Sequence, residues 1–140
     1  MIPKVIHFCW LSEDPYPPLI NECLNSWKEH LPNYEIVKWD LNMFDVNSVE
    51  WVRDAYEAKK YAFACDYIRL YALYNYGGIY LDTDVEVLKS FDDLLERHYF
   101  VGEESEGIIE PAVMGSVKGN KWMKLVMDKL ETMSFPERFD

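Results

Sequence analysis

Positive charge is scarce in this chain. Fourteen Lys and Arg stand against 25 Asp and Glu, for a formal net charge of −11. Such a balance argues against a nucleic-acid backbone or an anionic membrane surface as the main partner. An anionic small molecule needs either a local Arg/Lys group or a metal bridge to bind here. Long hydrophobic runs are also missing, and none reaches the length of a bilayer span. Met1-Ile2-Pro3-Lys4 does not lead from a basic segment into an apolar one, so no secretion signal is read there. The three cysteines, Cys9, Cys23 and Cys65, are an odd number without metal-ligand spacing. They read as buried or free thiols in a reducing compartment. The expected location is cytoplasmic, with peripheral attachment at the inner face of the plasma membrane compatible with it. Repeats, low-complexity tracts and interdomain linkers are absent too, which leaves one domain over residues 1–140.

What is present is apolar and aromatic: 49% and 16% of the 140 residues. That is enough for one sizeable core and argues against disorder. Lys4 to Trp10 (KVIHFCW) reads as a buried first strand, followed by a proline-rich loop to Pro18. Leu19 to Leu31 has helical apolar spacing, and Tyr34 to Trp39 is a second strand. Strand, helix and strand form a βαβ unit, which predicts a parallel sheet with ligands at its C-terminal edge, near Trp10 and Asp40 to Asn42. A weakly amphipathic helix over 47–60 is expected to be capped by Asn47 or Ser48. Tyr61 to Tyr76 is a stronger helix, with Ala64, Ile68, Tyr71 and Asn75 in one stripe. Gly77 is expected to close it as a left-handed C-terminal cap. Phe91 to Glu96 reads as a helical turn. His98 to Gly102 and Ala112 to Val117 read as short strands, and Glu103, Glu104 and Glu106 as a solvated loop. A closing helix over 120–133 is predicted to bury Trp122, Leu125, Val126 and Leu130. The class is α/β.

Between helix and strand lies the stretch with the most chemistry, Tyr76-Gly77-Gly78-Ile79-Tyr80-Leu81-Asp82-Thr83-Asp84-Val85. If it is extended throughout, Tyr80, Asp82 and Asp84 share one face, and Ile79, Leu81, Thr83 and Val85 the other. Two carboxylates ~4 Å apart at an effective dielectric of ~20 repel by about 4 kcal/mol. A cation, a proton or open water must offset that. Solvated acids at a strand end and a hard-cation site for Mg²⁺ or Mn²⁺ both fit. Asp66 and Arg69, three residues apart on the preceding helix, make either a surface ion pair or a partly buried Arg serving a carboxylate or phosphate. Trp10 is either core or a flat platform for a nucleobase. His7, in mid-strand, reads as a packed or hydrogen-bonded core histidine.

Taken together, Ile2-Pro3-Lys4, Ile6-His7, Trp10, Trp27, Pro32, Ala64, Asp66-Tyr67-Ile68-Arg69 and Tyr74 to Asp84 resemble the DXD-containing sugar-transferase family. That family includes yeast-type initiating α-1,6-mannosyltransferases, bacterial capsular and lipopolysaccharide glycosyltransferases and, more distantly, the clostridial glucosylating toxins. The resemblance runs from residue 2 to about 130. It implies a GT-A type (Rossmann-like) nucleotide-sugar-binding fold, with a mostly parallel central sheet flanked by helices. It also implies retaining transfer of a hexose from UDP-hexose or GDP-mannose to a glycan or lipid-linked acceptor, with Mn²⁺ or Mg²⁺, in polysaccharide or lipopolysaccharide biosynthesis. By that resemblance Asp84 is the direct metal ligand, and Asp82 touches the ribose and the metal shell. Asp66 holds sugar hydroxyls, Arg69 binds the sugar or diphosphate, and Tyr80 supports the donor. Trp10 stacks on the base, and Asn42 lies near the nucleoside. The stretch around Ala112 to Gly119 resembles the part of the family next to the acceptor. Family members usually continue further, and a late polar residue often completes their diphosphate site. A truncated or shortened member is therefore expected.

Two rivals stand beside this reading. A haloacid-dehalogenase-type phosphatase also places D-x-D after an apolar strand, but on the first strand and with Thr or Val two residues on, where this chain has Glu86. The other rival is a nucleotide-sugar- or glycan-binding module without turnover.

Overall fold

The computed structural model describes residues 1–105 and 108–136. Five strands form one sheet: β1 (Val5–Cys9), β2 (Glu35–Trp39), β3 (Gly78–Leu81), β4 (Tyr99–Ser105) and β5 (Ile108–Ser116), in the order β2-β1-β3-β5-β4. β1 pairs parallel with β2 and with β3, whereas β5 is antiparallel to both β3 and β4. Four strands therefore run one way and β5 alone runs back.

The helices α1 (Pro18–His30), α2 (Glu50–Glu57), α3 (Tyr61–Tyr76) and α4 (Lys121–Thr132) cover both faces. Alternation along the strands divides the core. Ile6, Phe8, Ile79 and Leu81 pack with Trp27 of α1 and with Leu31 just after it. Cys9 and Tyr80 face the other way, with Trp51, Ile68, Leu73 and Met123 of α2, α3 and α4. β3 is buried on both faces, as a central strand between two helical layers must be.

His7 is buried in this frame, as the sequence suggests. Its Nδ1 accepts from the Trp39 indole N–H at 3.0 Å, and its Nε2 donates to the Gly77 carbonyl at 2.9 Å. Because an indole only donates and a carbonyl only accepts, the ring is a neutral Nε2–H imidazole. Burial lowers its pKa below the ordinary value, against the opposing effects of the Gly77 bond and the Glu35 charge.

Several local expectations need correction. Asp45, not Asn47 or Ser48, supplies the capping carboxylate. It accepts from the Asn47 N–H at 2.9 Å and starts a 3-10 turn over Val46–Ser48, and α2 then begins after Val49 without a side-chain cap. Gly77 has the expected positive φ of 69°, but its ψ of 173° is extended. That region is essentially glycine-only and carries the chain straight from α3 into β3. α4 buries Met123 and Met127 and leaves Trp122 and Leu125 exposed, while Val126 and Leu130 stay partly buried. The helix carries two overlapping apolar stripes, and α3 takes the methionine one. Glu103 lies on β4 rather than in a loop. Glu106 and the side chain of Glu104 lie outside the described residues.

Candidate functional site

β1, β2 and β3 end at one edge of the sheet, so Trp10, Asp40 to Asn42 and Asp82 to Asp84 emerge together there. Two cavities open at this edge. One, of about 710 Å³, is lined by Trp10, Tyr16, Lys38, Asp40 and Asn42. The other, of about 520 Å³, is lined by Trp10, Asp66, Arg69, Tyr80, Asp82 and Asp84. Trp10, Leu11 and Ser12 border both, which makes one continuous trough.

The strand stops before the carboxylates do. The Asp82 N–H makes the last sheet bond, to the Ala112 carbonyl at 2.9 Å. The Val85 N–H then donates to the Asp82 carbonyl at 3.1 Å, closing a turn. The shared strand face expected for Asp82 and Asp84 therefore ends at Leu81. Asp at the first turn position favours this stop. The turn is held from behind by α1: the Trp27 indole N–H donates to the Val85 carbonyl at 2.8 Å, and the Val87 N–H donates to the Ser26 hydroxyl at 2.9 Å.

Arg69 joins the helix to the turn. Its side chain is nine-tenths buried, with Nη1 3.6 Å from Asp66 Oδ1 and Nη2 3.2 Å from Asp82 Oδ1. The guanidinium lies over the Tyr80 ring, 4.9 Å from its centroid. This is a buried bridging arginine, not a surface ion pair. Burial works against its charge, but Tyr80, Asp82 and Asp66 outweigh that and leave its pKa raised. Its Nε is buried and has no hydrogen-bond partner. Burial pushes the Asp82 carboxyl above its ordinary pKa; Arg69 opposes this, and the charge of Asp84 adds to it. Asp66 is raised by burial as well, with Arg69 opposing and Asp82 adding. Carboxylates carrying this strain are stabilised by any cation that reaches them.

The two acids supply hard oxygen ligands. Among the described residues, no group of three or more His, Cys, Asp and Glu is placed to hold a metal ion on protein ligands alone. The donor set fits Mg²⁺ or Mn²⁺ shared between one or two carboxylates and a ligand's phosphates.

Trp10 meets Tyr16 edge-on at 5.1 Å, and its indole N–H donates to the Asp14 carbonyl at 3.1 Å. Lys38 sits over the Tyr16 ring at 5.3 Å. Asn42 is exposed and borders only the first cavity. The structure thus gathers Trp10, Asp66, Arg69, Tyr80, Asp82 and Asp84 around one space and sets Asn42 at the far end. Residues missed in the sequence are Tyr16 and Lys38, and the sulfurs of Cys9 and Cys65. The signal for the cysteines was adjacency, since each directly precedes a site residue.

The family described as "Glycosyltransferase sugar-binding region containing DXD motif" matches residues 17–101. The chain belongs to this DXD glycosyltransferase family. Inositol phosphoceramide mannosyltransferase 3 of Schizosaccharomyces pombe is 31% identical over 99% of the chain and 40% of its own length. Mannosyl phosphorylinositol ceramide synthase SUR1 of Saccharomyces cerevisiae is 32% identical over 84% of the chain and 31% of its own length. The chain thus spans two fifths or less of these relatives. The solved PaToxG glycosyltransferase superposes with a TM-score of 0.69 at 17% identity, covering 91% of this chain and 58% of that one. That likeness shows a glycosyltransferase fold of GT-A type, as the motif implied.

Proposed function

We propose that this chain binds a nucleotide-linked hexose in the trough and transfers the hexose, with retention, to a hydroxyl acceptor. The observation that carries the reading is the Arg69 bridge between Asp66 and Asp82 beside Asp84, at the end of a trough that starts at Trp10. Trp10 offers an aromatic platform for the base, with Asn42 beyond it. Asp66, at the cavity wall, would accept hydrogen bonds from sugar hydroxyls. Arg69 offers positive charge to the leaving diphosphate. Asp82 and Asp84 would hold a divalent ion, Mn²⁺ or Mg²⁺, which when bound supplies Lewis-acid neutralisation of the diphosphate. That arrangement accounts for how so acidic a chain accepts an anionic donor. Retention is carried by the family resemblance. The relatives' names support mannose as the hexose, which among the donors implied at first favours GDP-mannose, and a lipid-borne inositol as acceptor over a capsular or lipopolysaccharide glycan.

Calorimetry with GDP-mannose and UDP-glucose, with and without Mn²⁺, tests the reading. The expected result is Mn²⁺-dependent binding of GDP-mannose that Asp84→Ala removes. Unchanged binding in Asp84→Ala overturns it. Donor hydrolysis with Mn²⁺ and no acceptor then separates a catalyst from a binding module.

A further inference from the structure

Two sulfur atoms meet in the wall of the trough. Cys9 closes β1 directly before Trp10, and Cys65 lies in the first half of α3 directly before Asp66. Both line the cavity that holds Arg69 and Asp82. Their Sγ atoms are 2.6 Å apart, across 56 positions of sequence, and both are free thiols. A disulfide bond is about 2.05 Å long, so about half an ångström of approach separates this contact from a covalent one. Neither sulfur has a part in the proposed transfer. We propose that Cys9 and Cys65 form a covalent modification site, a dithiol that small-molecule disulfides convert to an intramolecular disulfide in the wall of the trough.

The two thiols differ in access. Cys9 is buried and Cys65 is half-buried at the cavity. The contact with Cys65, and then burial, push the Cys9 thiol well above its ordinary pKa. The first attack therefore falls to Cys65. Its thiolate joins one sulfur of the small disulfide and releases the other as a thiol. Cys9 then gives up its proton, and its sulfur attacks Cys65 Sγ. The mixed bond breaks and the second small thiol leaves. The protein loses two electrons and two protons, and the oxidant departs as two thiols. Cys23, buried on α1, is the internal control. The site stands whether or not the trough takes a nucleotide sugar.

The test treats the native chain with glutathione disulfide at pH 8. Remaining thiols are alkylated under denaturing conditions, and the products are read by intact mass and peptide mapping. The expected product has lost two hydrogens, about 2 Da, leaves only Cys23 open to alkylation, and contains a peptide pair joining Cys9 to Cys65 that dithiothreitol separates. Cys23→Ala retains the crosslink and Cys65→Ser abolishes it. Three alkylated cysteines in the treated wild type, a crosslink through Cys23, or a glutathione adduct on Cys65 that never resolves would each overturn the proposal.

Discussion

The Trp27 indole donates to the carbonyl of Val85, 58 positions further along the chain, at 2.8 Å. Trp27 is fully buried, so α1 grips the turn that carries Asp82 and Asp84 from the side away from the trough. Trp27→Phe keeps a ring there but removes the N–H and some volume. The expected loss is about 2 kcal/mol, read as a lower urea midpoint at unchanged slope. Mn²⁺-dependent nucleotide binding weakens with it, because the turn loses its support.

Arg69 is expected to resist conservative replacement. A lysine cannot reach Asp66 and Asp82 with two arms and also lie flat on Tyr80. Arg69→Lys should weaken binding of a nucleoside diphosphate in Mn²⁺ by at least about tenfold, or ~1.4 kcal/mol. Arg69→Met also leaves Asp82 facing Asp84 without relief and is expected to lower stability at neutral pH. Calorimetry and denaturant titration separate the two effects. Equal affinity in Arg69→Lys would show that the bridge does not serve the diphosphate.

His7 makes stability depend on pH. Its folded pKa lies below its unfolded value, so between the two the unfolded chain binds a proton that the native chain refuses. The sign follows directly: this stability is fully present above the unfolded pKa of about 6.5 and is lost as pH falls toward the folded pKa. Urea midpoints at pH 7.5, 6.5 and 5.5 are expected to fall more steeply in the wild type than in His7→Gln. Parallel slopes would contradict the neutral imidazole between Trp39 and Gly77.

Two glycines with positive φ should respond differently to alanine. At Gly78, φ is 120°, and a Cβ would stand 2.6 Å from the Val5 carbonyl oxygen. At Gly119, φ is 78° and no atom lies within 4 Å of the added carbon. Gly119→Ala therefore costs backbone strain alone, about 1 kcal/mol, while Gly78→Ala must also push β3 from β1 and should cost about 3 kcal/mol or more. Thermal unfolding of the two variants gives the comparison.

Much of this was legible because the signals were local. Residues 61–76 read as one helix and form one, since a stripe at helical spacing through Ala64, Ile68 and Tyr71 meets two glycines. The first two strands were visible as short apolar runs. Arg69 and Asp82 lie close enough in sequence for one motif to contain both. What stayed hidden depends on distant partners. The place of β5 beside β3 is fixed by a pairing about 35 positions back, which no stretch of residues 108–116 announces. The inward face of α4 was misread because two apolar stripes compete there and only the packing against α3 decides between them. The meeting of Cys9 with Cys65 required β1 and α3 to be placed first.

The Arg69 bridge has one more consequence. Asp66, Arg69, Asp82 and Asp84 all come from one continuous stretch, in which a helix turns through Gly77 and Gly78 directly into a strand. Closing so short a loop costs little chain entropy, and the cost grows only slowly with length. The charged centre can therefore assemble early in folding, ahead of the remote pairing of β1 with β3, so that the rest of the domain condenses around a site already made.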